Sequence, residues 1–429
     1  IANDYRRNDF KHFVFHTRDY GKSWSRIENN AKGHTLSIVQ DPLAESHLWL
    51  GTDQGLFFSH DYGKNWHKFD QGFPTVPVRD LKIHPREHDL IIGTFGRALW
   101  VLDDLRPFRE LALTNGTAIQ DSFRLFPAPD TYLANRKSYQ GIRFVAQGSF
   151  VGDNRSSGAP LTFWILPPEK KEGKDKPKPP KEKIKIQIVN ATGDTIRNFT
   201  RKPKWGMNRI SWNLRRNGVD LPSRRERKAD ADPNSGSRVL PGTYRVVMTY
   251  GNFTGTTTLT VHPDPRRTSS AGMYDQREAM VADLDSTIVH TTAAWGRLRE
   301  ARKSIDRVKG ILVHAESAVK DSLQKHAKEL VKRIDELEEI VMEPADQKGI
   351  QRNPTNLRAK LFSARGYIGQ IEGAPSQMAK VSLEQFKLGA GDFIDAVNEF
   401  LSQDLAPFKE EVEAAELPLF GDLDPVDKN

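Results

Sequence analysis

Three hydrophobic periodicities divide the chain. Towards the front, short apolar runs such as Leu48-Trp49-Leu50 and Leu90-Ile91-Ile92 alternate with Gly, Asp and Pro positions, the pattern of short strands joined by tight turns. In the middle, Leu161–Leu166 is an apolar run, and Lys183–Val189 alternates with period two, as a half-buried strand does. Gly206–Leu214 predicts a further strand, and Pro241–Met248 with Gly255–Val261 a hairpin. From Met273 onward the period turns helical. Met280, Leu284, Ile288, Ala293 and Leu298 form one predicted stripe; Leu312, Ala315, Val319, Leu323, Ala327, Leu330 and Ile334 form another. Glu343-Pro344 ends that helix, and Asn353-Pro354 precedes a third, read from about Thr355 to Ile371. A fourth follows Pro375-Ser376 and carries Phe386, Phe393, Val397, Leu401 and Leu405. Short links between four helices predict a bundle, or a long hairpin packed on the other domains.

The front segment repeats itself. Thr17–Trp24 (TRDYGKSW) recurs as Ser59–Trp66 (SHDYGKNW), 42 residues on. Val101-Leu102-Asp103-Asp104 falls in the same slot after another 42 and keeps only its Asp. The apolar-Gly-Thr segments at Leu48–Leu56 and Leu90–Ala98 share that spacing. In the box, Asp19 and Asp61 can bond backbone amides, Gly21 and Gly63 can take positive φ, and Trp24 and Trp66 are read as plugs between neighbouring sheets. About 42 residues of four strands is the size of one propeller blade.

These boxes resemble the Asp-box (S/T-x-D-x-G-x-T-W) of BNR-repeat β-propellers, found in sialidases and in the sortilin family; Asn65 departs from the pattern, which has Ser or Thr there. The string GTFGRALWVLDDLRPFREL, Gly93–Leu111, looks like the closing blade of large sortilin-like proteins of Bacteroidetes-type bacteria. The pattern from Gly206 to Val246, G-x-N-R-x-x-W-x-L followed by P-G-x-Y-x-V, resembles the FlgD-like or fibronectin-III-like module that follows such propellers. The expected architecture is therefore multidomain: the last blades of a partial ring over 1–130, an Ig/FnIII (FlgD-like) β-sandwich over 131–265 with a Lys/Pro-rich loop at 168–183, and an α-helical bundle over 266–429. Two and a half blades cannot close a ring, because their sheet faces and edges stay open. Further N-terminal blades, on the same polypeptide or another chain, are the expected partner, with an unfilled ring edge before Phe13.

Composition narrows the chemistry. The chain lacks cysteine, which excludes disulfides, thiolate metal sites and cysteine nucleophiles. Its net charge of +8 gathers in 168–183 and at Arg224, Arg225 and Arg227, Pro- or charge-rich stretches without interleaved aromatics, so solvated loops are read there and not a nucleic-acid site. No apolar run is long enough for a membrane span.

No catalytic constellation, cofactor motif or metal set emerges. His84 and His88 are four apart, but Pro85 breaks the helix that a ligand pair would need. Arg97 has two readings: a ligand-facing arginine inside the ring, or a structural arginine paired with an acidic neighbour. The resemblance implies a secreted, periplasmic or cell-surface protein that binds protein or peptide partners in envelope assemblies. The alternative is a sialidase-like glycoside hydrolase or a peptidase whose catalytic residues lie mainly in absent blades.

Overall fold

The computed structural model describes all residues except 28–29, 135–154, 170–176, 269, 313–316, 345–346, 348–352, 370–373 and 418–429. The centre of the Lys/Pro-rich loop, Ala315 and the expected helix end at Ile371 lie outside the described residues. The chain divides into two compact units, Ile1–Leu214 with Pro241–His262, and Arg215–Leu240 with Pro263–Asn429.

The first unit begins with a hairpin of β1 (Ala2–Asp4) and β2 (Asp9–Phe13), then β3 (Phe15–His16) paired with β4 (Ser25–Arg26). A four-stranded antiparallel sheet follows, in the order β5 (Thr35–Asp41), β6 (Ala44–Thr52), β7 (Gly55–Ser59), β8 (His67–Phe69). The next sheet has three strands, β9 (Val78–Ile83), β10 (Leu90–Thr94) and β11 (Leu99–Leu102). Where a fourth strand would come, the chain enters helix α1 (Arg106–Leu113).

These sheets stack, and the burial of β6 shows how. Leu48 and Leu50 point towards Val14, Ile27 and Trp66, while the intervening Trp49 packs with Leu81, Leu90 and Ile92 of the next sheet. A strand covered on both faces must be apolar throughout, which explains its continuous run. The three-stranded sheet is covered on one face only. Leu90 and Ile92 are buried, but Leu99 and Val101 on β11 are exposed, as is Phe95 beside them.

Two further sheets complete this unit. One contains β12 (Phe123–Leu125), β14 (Ala159–Ile165) and β17 (Gly206–Trp212). The other has the order β13 (Thr131–Tyr132), β21 (Phe253–His262), β20 (Gly242–Tyr250), β15 (Ile184–Val189), β16 (Thr195–Arg201). Ile184, Ile186 and Ile188 are buried and Lys185 and Gln187 exposed, as period two requires. Side chains of the two sheets meet at Trp212 and Tyr244, whose rings are 5.4 Å apart. Gly255 permits a close approach, since a Cβ there would lie 2.8 Å from the Cβ of Leu125.

Among the described residues, the second unit joins a short pair, β18 (Arg215–Asn217) and β19 (Ser235–Arg238), to helices α2 (Ala271–Ile311), α3 (Ser317–Val341), α4 (Leu357–Gly369), α5 (Gln377–Glu399) and α6 (Ala406–Ala414). On α3 the stripe of Leu323, Ala327, Leu330 and Ile334 is buried as the sequence predicts. On α2 the expected Ala293 is exposed. The buried face runs through Leu284, Ile288, Thr291, Trp295 and Leu298, whose steps of three and four follow the 3.6-residue turn more closely. Leu312 caps α2 and does not open α3. Ser376 caps α5, its hydroxyl accepting from the Ala379 amide at 3.2 Å. The expected fourth helix is interrupted by a π-helical turn, Phe400–Leu405, just before Pro407. Phe393, Val397 and Phe400 continue the buried face in regular steps of four and three, and Phe408 is buried beyond the turn, while Leu401 and Leu405 are only partly covered.

Candidate functional site

The repeat signature builds two hairpins of one design. Between β3 and β4, the Thr17 hydroxyl donates to Asp19 Oδ1 at 2.8 Å and accepts from the Gly21 amide at 2.8 Å. Asp19 also receives the Ser23 amide at 2.8 Å and the Ser23 hydroxyl at 2.6 Å. Those bonds, led by the Ser23 hydroxyl, hold the Asp19 carboxyl down at about 2. Between β7 and β8, Ser59 and Asp61 repeat the arrangement. Asn65 donates its amide N–H at 2.9 Å and its side-chain Nδ2 at 2.8 Å to the two Asp61 oxygens. The carboxamide thus does the work of the Ser23 hydroxyl, so the departure at Asn65 leaves the turn unchanged. Burial pushes Asp61 up, but hydrogen bonds from Asn65 and Ser59 outweigh it and its pKa is lowered.

Backbone geometry carries the repeat into its third copy. Tyr20, Tyr62 and Asp104 are spaced by 42 and all lie in the left-handed region, at φ 57°, 61° and 59°. In the first two copies a glycine follows, with φ 90° at Gly21 and 80° at Gly63. In the third, Leu105 follows with φ −79°. A leucine resists a second left-handed step, so the hairpin cannot form and α1 starts instead.

What remains of the third copy is an anchor. Asp104 is buried and accepts from Arg106 Nη1 at 2.6 Å. Arg209 on β17 donates to the carbonyl oxygens of Asp103 at 2.9 Å and Asp104 at 3.4 Å. Arg109 on α1 reaches back to Asp41, its Nε donating to both carboxylate oxygens at 3.0 and 2.8 Å in a fully buried ion pair. Sequence reasoning missed these anchors, and also Phe108. Phe108 stands 42 residues after Trp66, and its ring lies 5.0 Å from that of Trp49. Extending the box spacing past the last recognisable Asp would have found it.

The two box tryptophans part company. Trp66 is 3% exposed and donates its indole N–H to the Ile27 carbonyl of the preceding sheet at 2.9 Å. Trp24 is 61% exposed and bonds only its own hairpin, at the Gly21 carbonyl, 3.2 Å away.

Arg97 is exposed at the β10–β11 turn and forms no ion pair with a described residue. Its carbonyl accepts the Trp100 indole N–H at 2.8 Å. The turn around His84 and His88 is not helical; His84 Nδ1 accepts the Glu87 amide at 3.1 Å. Among the described residues, no three His, Asp or Glu side chains are grouped to hold a metal ion. No helix among them is long and apolar enough to cross a membrane.

A 42-residue unit that turns on an aspartate hairpin and stacks sheet upon sheet is the construction of a propeller-type repeat segment. Residues 12–106 match the family model described as Sortilin, neurotensin receptor 3. The match spans the stacked sheets and stops at the first residue of α1, so the front of the chain is similar to the sortilin family. No curated protein matches the chain.

Proposed function

We propose that this chain is an extracytoplasmic binding and assembly protein, in which the stacked sheets are blades of a larger BNR-type β-propeller. The aspartate hairpins at Asp19, Gly21, Trp24 and at Asp61, Gly63, Trp66 serve as structural Asp-boxes that lock each blade to the one before it. Further blades complete the ring, on the same polypeptide or supplied by another chain. The paired sheets after α1 act as an Ig/FnIII-like, FlgD-like sandwich that spaces or docks the ring, in a secreted or cell-surface protein of Bacteroidetes-type bacteria. Propeller and sandwich surfaces then engage protein or peptide partners.

The observation that carries this reading is the contrast between Trp66, sealed against Ile27, and Trp24, open to solvent on an otherwise equivalent hairpin. The open apolar face at Leu99 and Val101 supports it from the other end of the stack. Adjoining blades would cover both.

Oxidative footprinting of tryptophan tests the ring. Trp24 should be labelled rapidly in the 1–429 chain alone and protected in the native assembly, with Trp66 protected in both. Equal labelling of Trp24 in both states, together with a stable monomeric 1–429 chain as the whole native species, would end the proposal.

A further inference from the structure

The second unit contains a cavity of about 950 Å³, and its walls have two characters. The floor is apolar: Met342, Leu361 and Phe386 are buried there, and Trp295 spends its indole N–H on the Ser223 carbonyl at 3.0 Å. The rim is cationic, with Arg224, Arg225, Arg227, Arg299, Lys303 and Arg358 against three carboxylates.

Most of these cations are already engaged. Arg227 pairs with Asp220 at 2.8 Å, Arg299 with Glu226 at 2.7 Å, and Lys303 also pairs with Glu226. Arg224 donates to the Glu343 carbonyl at 2.8 Å. Arg225 and Arg358 have no ion pair with a described residue, and both are exposed at the cavity. Arg358 lies over the ring of Phe362, 5.6 Å from its centroid, and its charge is among the causes that lower the Glu343 carboxyl.

From this juxtaposition we infer a binding site for a small amphipathic oxyanion, a phosphate or carboxylate borne on a flat apolar body. The anion meets the two guanidinium groups that form no ion pair with a described residue, and such forks suit it in bidentate geometry. The body enters over Phe362 towards the apolar floor. The volume falls within the range of small-molecule sites, about 300–1,000 Å³. The site is built from residues of the second unit alone and does not depend on the proposed ring.

Calorimetric titration of the whole 1–429 chain at low ionic strength tests it, using phenyl phosphate, inorganic phosphate, benzoate and benzyl alcohol. Phenyl phosphate should saturate, at least about tenfold tighter than inorganic phosphate, and benzyl alcohol should not. Benzoate should also saturate more tightly than benzyl alcohol, since it carries the oxyanion that benzyl alcohol lacks. The Arg225→Ala/Arg358→Ala double variant should weaken phenyl phosphate about tenfold or more, and Arg86→Ala, an exposed arginine of the first unit, should not. Phe362→Ala should abolish the preference for phenyl phosphate over inorganic phosphate and leave the latter unchanged. The inference fails if neither phenyl phosphate nor benzoate saturates by about 10 mM. It also fails if Arg86→Ala weakens binding as much as the double variant, or if benzyl alcohol binds as well as phenyl phosphate.

Discussion

The indole N–H of Trp66 donates to the carbonyl of Ile27 across 39 residues of sequence, fastening one sheet of the stack to the one before it. Trp24, in the same place on the preceding hairpin, is exposed and donates to the Gly21 carbonyl of its own turn. Replacing each with alanine should therefore give unlike results. Trp66→Ala removes a buried aromatic and should cost about 3–5 kcal/mol. Trp24→Ala should stay within about 0.5 kcal/mol, as exposed positions do. Urea unfolding followed by circular dichroism measures both.

Gly63 and Gly21 make a second matched pair. Both have positive φ, which costs an L-residue roughly 1–2 kcal/mol. Only at Gly63 would an added Cβ also strike a neighbour, lying 2.8 Å from Ile27 Cδ1; at Gly21 the nearest atom is 3.8 Å away, on Trp24. Gly63→Ala should lower the thermal midpoint clearly more than Gly21→Ala. Equal shifts would mean that Ile27 yields freely and that the sheet interface is looser than its packing indicates.

His47 should make stability depend on pH. It is buried among Trp49, Phe58 and Phe108, with Nδ1–H donating to the Ser59 carbonyl at 3.1 Å and Nε2 without a partner. Burial holds its pKa down at about 4, despite the opposing pull of Asp41. The unfolded chain binds this proton below about 6.5, whereas the folded chain stays neutral until about 4. Stability from this group is full above the upper value, falls as pH drops through the window, and levels off below it. The difference is roughly 3 kcal/mol. His47→Phe should flatten that part of the stability–pH curve, measured by denaturant midpoints between pH 4 and 7; an unchanged slope would exclude His47 as its source.

Arg109 supports the joint after the last repeat. Arg109→Met leaves Asp41 buried without its partner and should cost about 3–5 kcal/mol. The double change Asp41→Asn/Arg109→Met should recover a substantial part of that loss, because the uncompensated charge is gone. Chemical denaturation of the three proteins reads the coupling; strict additivity would show that the two groups act independently.

The local design is written in the chain. The 42-residue spacing, the Asp and Gly of each box, the period-two strand at Ile184–Val189 and the helical stripe on α3 all express short-range rules, because a turn or an amphipathic face is set by neighbours within a few residues. What tertiary structure decided lies where two distant segments share one interface. Phe108 fills a tryptophan's place from a helix, since stacking demands an aromatic against Trp49 and is indifferent to the backbone that carries it. At the end of α5 the spacing allows either Phe400 or Leu401 to follow Val397, and packing against the neighbouring helices buries Phe400. Arg109 finds Asp41 from 68 residues away, a pairing that no period announces. The same physics separates Trp24 from Trp66: the two motifs are written alike, and packing against the distant Ile27 segment buries only the second indole.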